Sequence, residues 1–291
     1  MKKYSIKDFV VKTGIFGYCS PLKLSRNEKN NIWRKKYKKS LNKYLKIYPY
    51  VKNSDRKQSN YIFTSWLQGY DVAPIIVKKC QKSLKQYTSA KTIVNITLNN
   101  MSKYIELPQN ILEKKEAGII SNAHFSDIIR VCLLYTYGGI WIDSTVMLFD
   151  ELPHYVTDSE LFFFQNSFLD AEDFGISSWF ISAKYPKNNF MKSVRDTLFS
   201  YWENNNTLPD YYLLHDIISL LVETNQFENL WKKMPYVNNA APHVLQRKLL
   251  DKYDQEEFNR IIKLTPIQKL TYKLENRQND EKTNLSFILS D

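Results

Sequence analysis

Asp127 and Arg130 stand three residues apart in an otherwise apolar run, Ser126-Asp127-Ile128-Ile129-Arg130-Val131-Cys132-Leu133-Leu134-Tyr135. On a helix that spacing puts an acid and a guanidinium on one face. Read plainly, they are a local ion pair that solubilises a helix end. Gly138-Gly139 follows at once, then the short run Ile140-Trp141-Ile142 and Asp143. Open α/β sheets bind ligands at the carboxyl ends of their strands, and a carboxylate there is costly unless solvated or coordinated. A turn-capping Asp is the alternative for Asp143 taken alone. Asp216 interrupts a second apolar run, Tyr211-Tyr212-Leu213-Leu214-His215-Asp216-Ile217-Ile218, so it either meets a buried partner or faces a cleft. The aromatic patch Phe162-Phe163-Phe164 and Trp179-Phe180 reads first as core. Trp179, with its broad aromatic face, is alternatively the floor of a ligand site.

The elements that must position these residues follow from periodicity and punctuation. Tyr61 to Trp66 predicts a strand with a turn at Gly69, and Pro74 opens a helix through Leu84. Thr92 to Leu98 predicts a second strand, and a short helix follows the turn at Pro108. Ser126 to Tyr137 is a buried helix stopped by Gly138-Gly139, followed by a strand over 140–143 and further extended chain from Val146 to Phe149. Strands are expected at 161–164 and 176–181, and helices at about 187–203, 210–224 and 251–262. Strand and helix alternate, so the expected class is α/β with polar residues collected at strand ends. No Gly-rich phosphate cradle and no internal repeat is found.

The 291 residues suit one large domain, and 43% hydrophobic with 24% charged residues describes an ordered globular chain. No run nears the roughly 18 apolar residues of a spanning helix. No apolar stretch follows Met1-Lys2-Lys3, so no secretory signal is expected. Cys19, Cys80 and Cys132 are an odd, scattered set that fits a reducing cytoplasm better than a disulfide or zinc scaffold. Of 41 Lys and Arg, 17 lie in residues 1–60 with only 3 of the 30 acids, so the net charge of +11 belongs to that segment. Within it Trp33, Tyr37, Leu41, Tyr44 and Leu45 recur at helical spacing between lysines. Three readings fit: a solvated helix docking an aromatic stripe on the core, contact with an anionic membrane face, or nucleic-acid binding, which lacks any motif. The expected organisation is a basic helical N-terminal region over 1–58 and a second unit over 59–291.

The run Gly118-Ile119-Ile120-Ser121-Asn122-Ala123-His124-Phe125-Ser126-Asp127-Ile128-Ile129-Arg130, then Leu133-Leu134-Tyr135 and Gly138-Gly139-Ile140-Trp141-Ile142-Asp143-Ser144-Thr145-Val146, resembles the capsular polysaccharide synthesis glycosyltransferases. These are related to a wider group of sugar-transferring enzymes with a D-x-D motif. Phe63-Thr64-Ser65-Trp66-Leu67-Gln68-Gly69 with Ala73-Pro74 and Cys80 matches the same family's first strand and helix. The resemblance is firm over about 60–150 and loose over 155–275. It implies a glycosyltransferase A fold, a UDP-sugar donor and a divalent metal, Mn²⁺ with Mg²⁺ as the alternative. Trp66, with Gln68 beside it, would hold the uracil, and Asp127 and Arg130 the donor sugar and pyrophosphate. Asp143 would stand near ribose and metal. The third D-x-D position is Thr145, a form frequent in the capsular branch, so Asp143 needs help with the metal, and His243 is the candidate second ligand. Without a metal, Lys248, Arg247 or the basic N-terminal segment would balance the diphosphate. The family tends to carry an acid at Asp216, which implies a catalytic role near donor or acceptor.

The implied function is a cytoplasmic hexosyltransferase that moves a hexose, with retention, from UDP-hexose to a polyprenyl-diphosphate-linked saccharide in surface polysaccharide assembly. The basic N-terminal region would hold it at the inner membrane face, and no nucleic acid is involved. The rivals are a catalytically silent UDP-sugar binder carrying Thr145 as the lesion, a basic membrane- or nucleic-acid-associated scaffold, and a phosphosugar transferase.

Overall fold

The computed structural model describes residues 26–51, 56–166, 175–274 and 282–290, with backbone alone for 26–32. The segment from Met1, with Cys19, lies outside the described residues, as does part of the expected joint after Tyr50. The elements run α1 (Arg26–Ser40), β1 (Tyr61–Ser65), α2 (Ile75–Tyr87), β2 (Thr92–Ile96), α3 (Gln109–Glu116), α4 (Asn122–Tyr137), β3 (Gly139–Ile142) and β4 (Val146–Leu148). They continue with α5 (His154–Thr157), β5 (Leu161–Gln165), β6 (Ile176–Ala183), α6 (Asn189–Asn204), α7 (Leu213–Val222) and α8 (Glu228–Lys233). The last are α9 (Val244–Arg247), α10 (Gln255–Leu264), β7 (Ile267–Lys269) and α11 (Asn284–Ser290).

The central sheet has the order β2-β1-β3-β6-β5. β1 pairs in parallel with both β2 and β3, while β6 is antiparallel to β3 and β5. This is a mixed α/β sheet with helices on both faces, as the alternation of strand and helix predicts. Period-2 burial does the sorting. Phe63, Trp141 and Phe163 face the cluster built on α4, α6 and α7, and Ile62, Ile140 and Phe162 face a second cluster with Leu84, Val146 and Ile267. β4 and β7 form a separate antiparallel pair that lies on α2, where the Leu148 N–H donates to Ser83 Oγ (3.0 Å). β7 and α11 were not expected from the sequence: each is short, and neither shows a clear period.

α4 starts four residues earlier than periodicity predicts. Ser121 caps it, accepting from the His124 N–H, and a capping serine is a local signal that an apolar count passes over. The helix ends on Gly138, and the chain turns straight into β3. Gly138 and Gly139 have φ of 66° and 93°. A Cβ on Gly139 would come 2.4 Å from the Tyr61 carbonyl oxygen, and one on Gly138 would come 2.7 Å from the backbone of Tyr185 and Pro186. So both positions demand glycine for conformation and for space, and together they let β3 enter the sheet beside β1.

The stripe that runs from α1 into the 3₁₀ turn Leu41–Tyr44 docks on the same core. Leu41 and Tyr44 are buried, Tyr37 and Leu45 pack against them, and the Tyr44 ring meets Tyr201 edge-on at 5.3 Å. Lys38 reaches Glu223 (2.6 Å) and Arg34 reaches Asp210 (3.6 Å). For residues 33–45, the aromatic stripe is a docking face and the lysines between its members lie largely at the surface.

Gly139→Ala should lose about 3 kcal/mol or more of stability, because strain and a backbone clash add. Gly118→Ala should lose only about 1 kcal/mol, since its φ is 70° but nothing lies within 4 Å of the added Cβ. Chemical denaturation of the two variants checks this; equal losses would mean the packing at Gly139 is not as described.

Candidate functional site

β1 has β2 on one side and β3 on the other, both parallel to it. That makes the gap between β1 and β3 a topological switch point, where chain leaving adjacent parallel strands diverges and opens a crevice. Trp66 is the first residue past β1 and Asp143 the first past β3, so both leave the sheet at the same edge. The expected placement of these two residues at strand ends is what the structure shows.

Asp143 is the centre of a charge cluster drawn from three elements. Its Oδ1 accepts from Trp141 Nε1 (2.9 Å) and lies 3.4 Å from Arg130 Nη2. Its Oδ2 lies 3.3 Å from Lys269 Nζ. The Asp143 backbone N–H donates to the Trp179 carbonyl (2.9 Å), which fixes the end of β3 against β6. Arg130 is buried on α4, 3.4 Å from Asp127 Oδ1, and its Nη1 donates to the Ser178 carbonyl (2.6 Å). Arg130 Nε finds no acceptor among the described residues, and the Trp141 ring, 5.0 Å from the guanidinium carbon, offsets part of that cost. Asp127, Arg130 and Asp143 are thus one connected group, as their spacing and strand-end position suggest.

Lys269 is the member that sequence reasoning missed. Besides Asp143 it donates to Thr145 Oγ1. It arrives through the β4–β7 pairing, whose register sets Val146 opposite Lys269, with the Leu270 N–H donating to the Thr145 carbonyl (2.8 Å). No motif marks it; the signal is the register of a three-residue strand. The two basic residues expected to balance a diphosphate lie otherwise. Lys248 is engaged with Asp251 (3.7 Å) and Glu257 (3.3 Å), and Arg247 is exposed.

The other expected residues divide into near and far. Trp66 is half-buried with its ring edge-on to Tyr272 at 5.3 Å, and Gln68 is exposed in the following turn. Tyr70, in the same loop, donates to Thr64 Oγ1 (3.2 Å) and lies within range of the Asp143 charge. Asp216 is fully buried on α7, within range of the Tyr37 hydroxyl of α1. Its neighbour His215 is pushed down to about 3 by burial, with Arg130 adding, so it stays neutral beside the cluster. His243 donates from Nδ1 to the Asn239 carbonyl (2.8 Å), which leaves the lone pair on Nε2. Its ring sits edge-on to Trp179 (5.6 Å), whose Nε1 donates to Asn239 Oδ1 (2.9 Å). Trp179 is stacked on Phe164 and buried, as the core reading has it.

Whether these residues fit a divalent ion can be judged from the donor set. His243 has the tautomer of a ligand, but Asp143 already faces two cations, Thr145 is neutral and accepts from Lys269, and no group of three or more His, Cys, Asp and Glu is assembled among the described residues. The set as it stands is matched to an ammonium and does not fit a divalent metal.

The profile of the capsular polysaccharide synthesis protein family matches residues 19–288. The chain belongs to that family. One curated relative, "Glycosyltransferase afumC" of Aspergillus fumigatus, is 29% identical over 119 residues, 37% of this chain and 29% of that protein. The chain therefore matches less than a third of that relative's length. Among solved structures, "PaToxG Glycosyltransferase" aligns over 77% of this chain and 79% of its own, at 12% identity and a TM-score of 0.37. Among the described residues no helix is long and apolar enough to cross a membrane.

The two carboxylates respond to this cluster in opposite senses. Burial pushes Asp127 up from its ordinary 3.8, more than Arg130 and His124 pull it down. Burial also acts to raise Asp143, but Lys269, Arg130 and the Trp141 hydrogen bond outweigh it and hold the carboxyl low. A raised folded pKa contributes stability below the ordinary carboxylate value that is lost as pH rises through it; a lowered one contributes stability above that value that is lost as pH falls. Asp127→Asn should therefore raise the melting temperature at pH 7, the gain fading toward pH 4. Asp143→Asn should lower it at pH 7, the deficit shrinking in acid. Thermal melts of both variants at neutral and acid pH check the two signs.

Proposed function

We propose that this family member is a glycosyltransferase of the glycosyltransferase A type, transferring a hexose from a UDP-sugar to a saccharide acceptor in capsular or other surface polysaccharide synthesis. The observation that carries the reading is the Asp127–Arg130–Asp143 group at the sheet's switch point, in a chain matched almost end to end by the capsular family. A diphosphate leaving group needs positive charge aimed at it, and a sugar needs paired acceptors and donors for its hydroxyls. Arg130 supplies the first, and Asp127 and Asp143 supply acceptors for the second. Trp66, one residue past β1, is the ring on which the uracil stacks. In this reading, residues 59–291 are the catalytic unit, and the helix ending at Ser40 is docked on it.

The transfer is a front-face displacement with retention. The sugar C1–O bond to the diphosphate breaks with its electron pair going to the phosphate oxygen. The acceptor oxygen bonds to C1, and its proton passes to that same phosphate oxygen. Such a route needs no strong side-chain base, which suits a cluster whose carboxylates are paired with Arg130 and Lys269 and whose His215 is made a weak base by burial. The acceptor is a polyprenyl-diphosphate-linked saccharide, met at the inner face of the membrane by the basic N-terminal segment. A silent UDP-sugar binder is the second reading, favoured by Thr145 where a second carboxylate would add to the site's charge.

UDP release from a panel of UDP-hexoses, with a lipid-linked or short saccharide acceptor present, tests the proposal. Wild type should turn over one donor, and Asp143→Asn should lose about 100-fold or more of that rate. Tight UDP binding without release from any donor would favour the silent binder; absence of UDP binding would overturn both readings.

A further inference from the structure

Lys269 holds a position that a divalent ion would otherwise take. Its ammonium lies 3.3 Å from Asp143 Oδ2 and donates to Thr145 Oγ1, so it bridges the first and third residues of Asp143-Ser144-Thr145. Its placement is structural and not incidental. β4 and β7 pair over Val146↔Lys269, Met147↔Gln268 and Leu148↔Ile267, and Gln268 beside it is wholly buried with its Nε2 donating to the Thr265 carbonyl (2.9 Å). The Lys269 side chain keeps 17% of its surface and Asp143 24%, so the ammonium is held by its neighbours and still reachable at one edge.

The charges support the substitution. Two carboxylates around a divalent cation sum to zero, and so do one carboxylate and one ammonium. With Thr145 neutral, Asp143 and Lys269 balance, and Asp127 and Arg130 balance beside them. A divalent ion added here would have to expel Lys269 from both oxygens or sit against its charge. An incoming diphosphate instead finds an ammonium and a guanidinium already oriented on one carboxylate, with no ion to recruit.

Resting on the nucleotide-sugar reading above, we propose that Lys269 is a catalytic residue. It takes the place of a divalent metal in binding the diphosphate and stabilising it as it leaves, so the transferase works without metal. Lys269 stays protonated throughout: its N–H donates to the phosphate oxygen that receives the electron pair of the broken C1–O bond, while the acceptor's proton goes to the phosphate. Asp143 and Thr145 position the ammonium, and Arg130 holds Asp143 from its other oxygen.

The experiment is UDP titration calorimetry on the full chain, in EDTA and in MnCl₂, for wild type, Lys269→Met and Lys269→Arg, with turnover of the active UDP-sugar measured in the same buffers. Wild type should bind UDP with an affinity that EDTA and Mn²⁺ change by less than about twofold, and should keep its turnover in EDTA. Lys269→Met should weaken UDP by about tenfold or more and slow turnover by about 100-fold. Lys269→Arg should recover most of the binding. UDP binding by wild type that requires Mn²⁺ would overturn the proposal, and this arm stands even if Lys269→Met fails to fold. Unchanged UDP affinity in a folded Lys269→Met would overturn it too. Absence of UDP binding in every buffer would instead remove the nucleotide-sugar reading, and this inference with it.

Discussion

The ion-pair chain from Asp127 through Arg130 and Asp143 to Lys269 is the constraint that most of the site answers to. Each member is half-buried or buried, and the four come from three stretches of backbone: α4 for Asp127 and Arg130, the end of β3 for Asp143, β7 for Lys269. Removing Arg130, Asp143 or Lys269 leaves an uncompensated charge away from water, which is far more costly than an exposed pair is worth; Asp127, whose charge burial already disfavours, is the exception. The surrounding structure therefore has to hold three elements in register. It does so with backbone: the Asp143 N–H to Trp179, the Leu270 N–H to Thr145, and Arg130 Nη1 to the Ser178 carbonyl. β6, through Ser178 and Trp179, holds the two middle members of the chain of charges, Arg130 and Asp143.

The glycine pair between α4 and β3 serves the same end. A helix carrying Arg130 and a strand ending in Asp143 must be folded back on each other within two residues for the two side chains to meet. Positive φ at Gly138 and Gly139 allows the reversal, and the missing Cβ atoms let it pass against Tyr61 and Tyr185. The tension in Asp127 has a similar origin. It sits where burial disfavours its charge, and it is kept there by Arg130, so this carboxylate works against stability at neutral pH. Sites that bind a polar substrate commonly carry such groups.

Much of this was legible in the residues. The Asp127–Arg130 spacing, the glycine stop and the strand-end position of Asp143 depend on local periods of 3.6 and 2, and those periods survive folding. The central strands also came through, because each is an apolar run bounded by turns. What did not come through depends on long-range pairing. Lys269 stands 124 residues from Thr145, and only the register of β4 with β7 joins them. Lys248 and Arg247 looked equally suitable in the sequence, and the fold turns Lys248 to Asp251 and Glu257 instead. The early start of α4 was hidden for the opposite reason: it rests on one serine oxygen, too local for an apolar pattern to register.

The late arrival of β7 has a consequence for how the molecule is made. A ribosome extends a chain at about 5–20 residues per second, and domains begin to fold as they emerge. The central sheet, from β1 to β6, is complete by Ala183, well before Lys269 exists. A sheet formed at that point would seat Asp143 beside Arg130 without its second cation, and would leave uncovered the surface of α2 that receives Leu270 and α11. Such an intermediate would have a finished scaffold and an unfinished charge balance, and a segment synthesised later both closes the apolar face and completes the site.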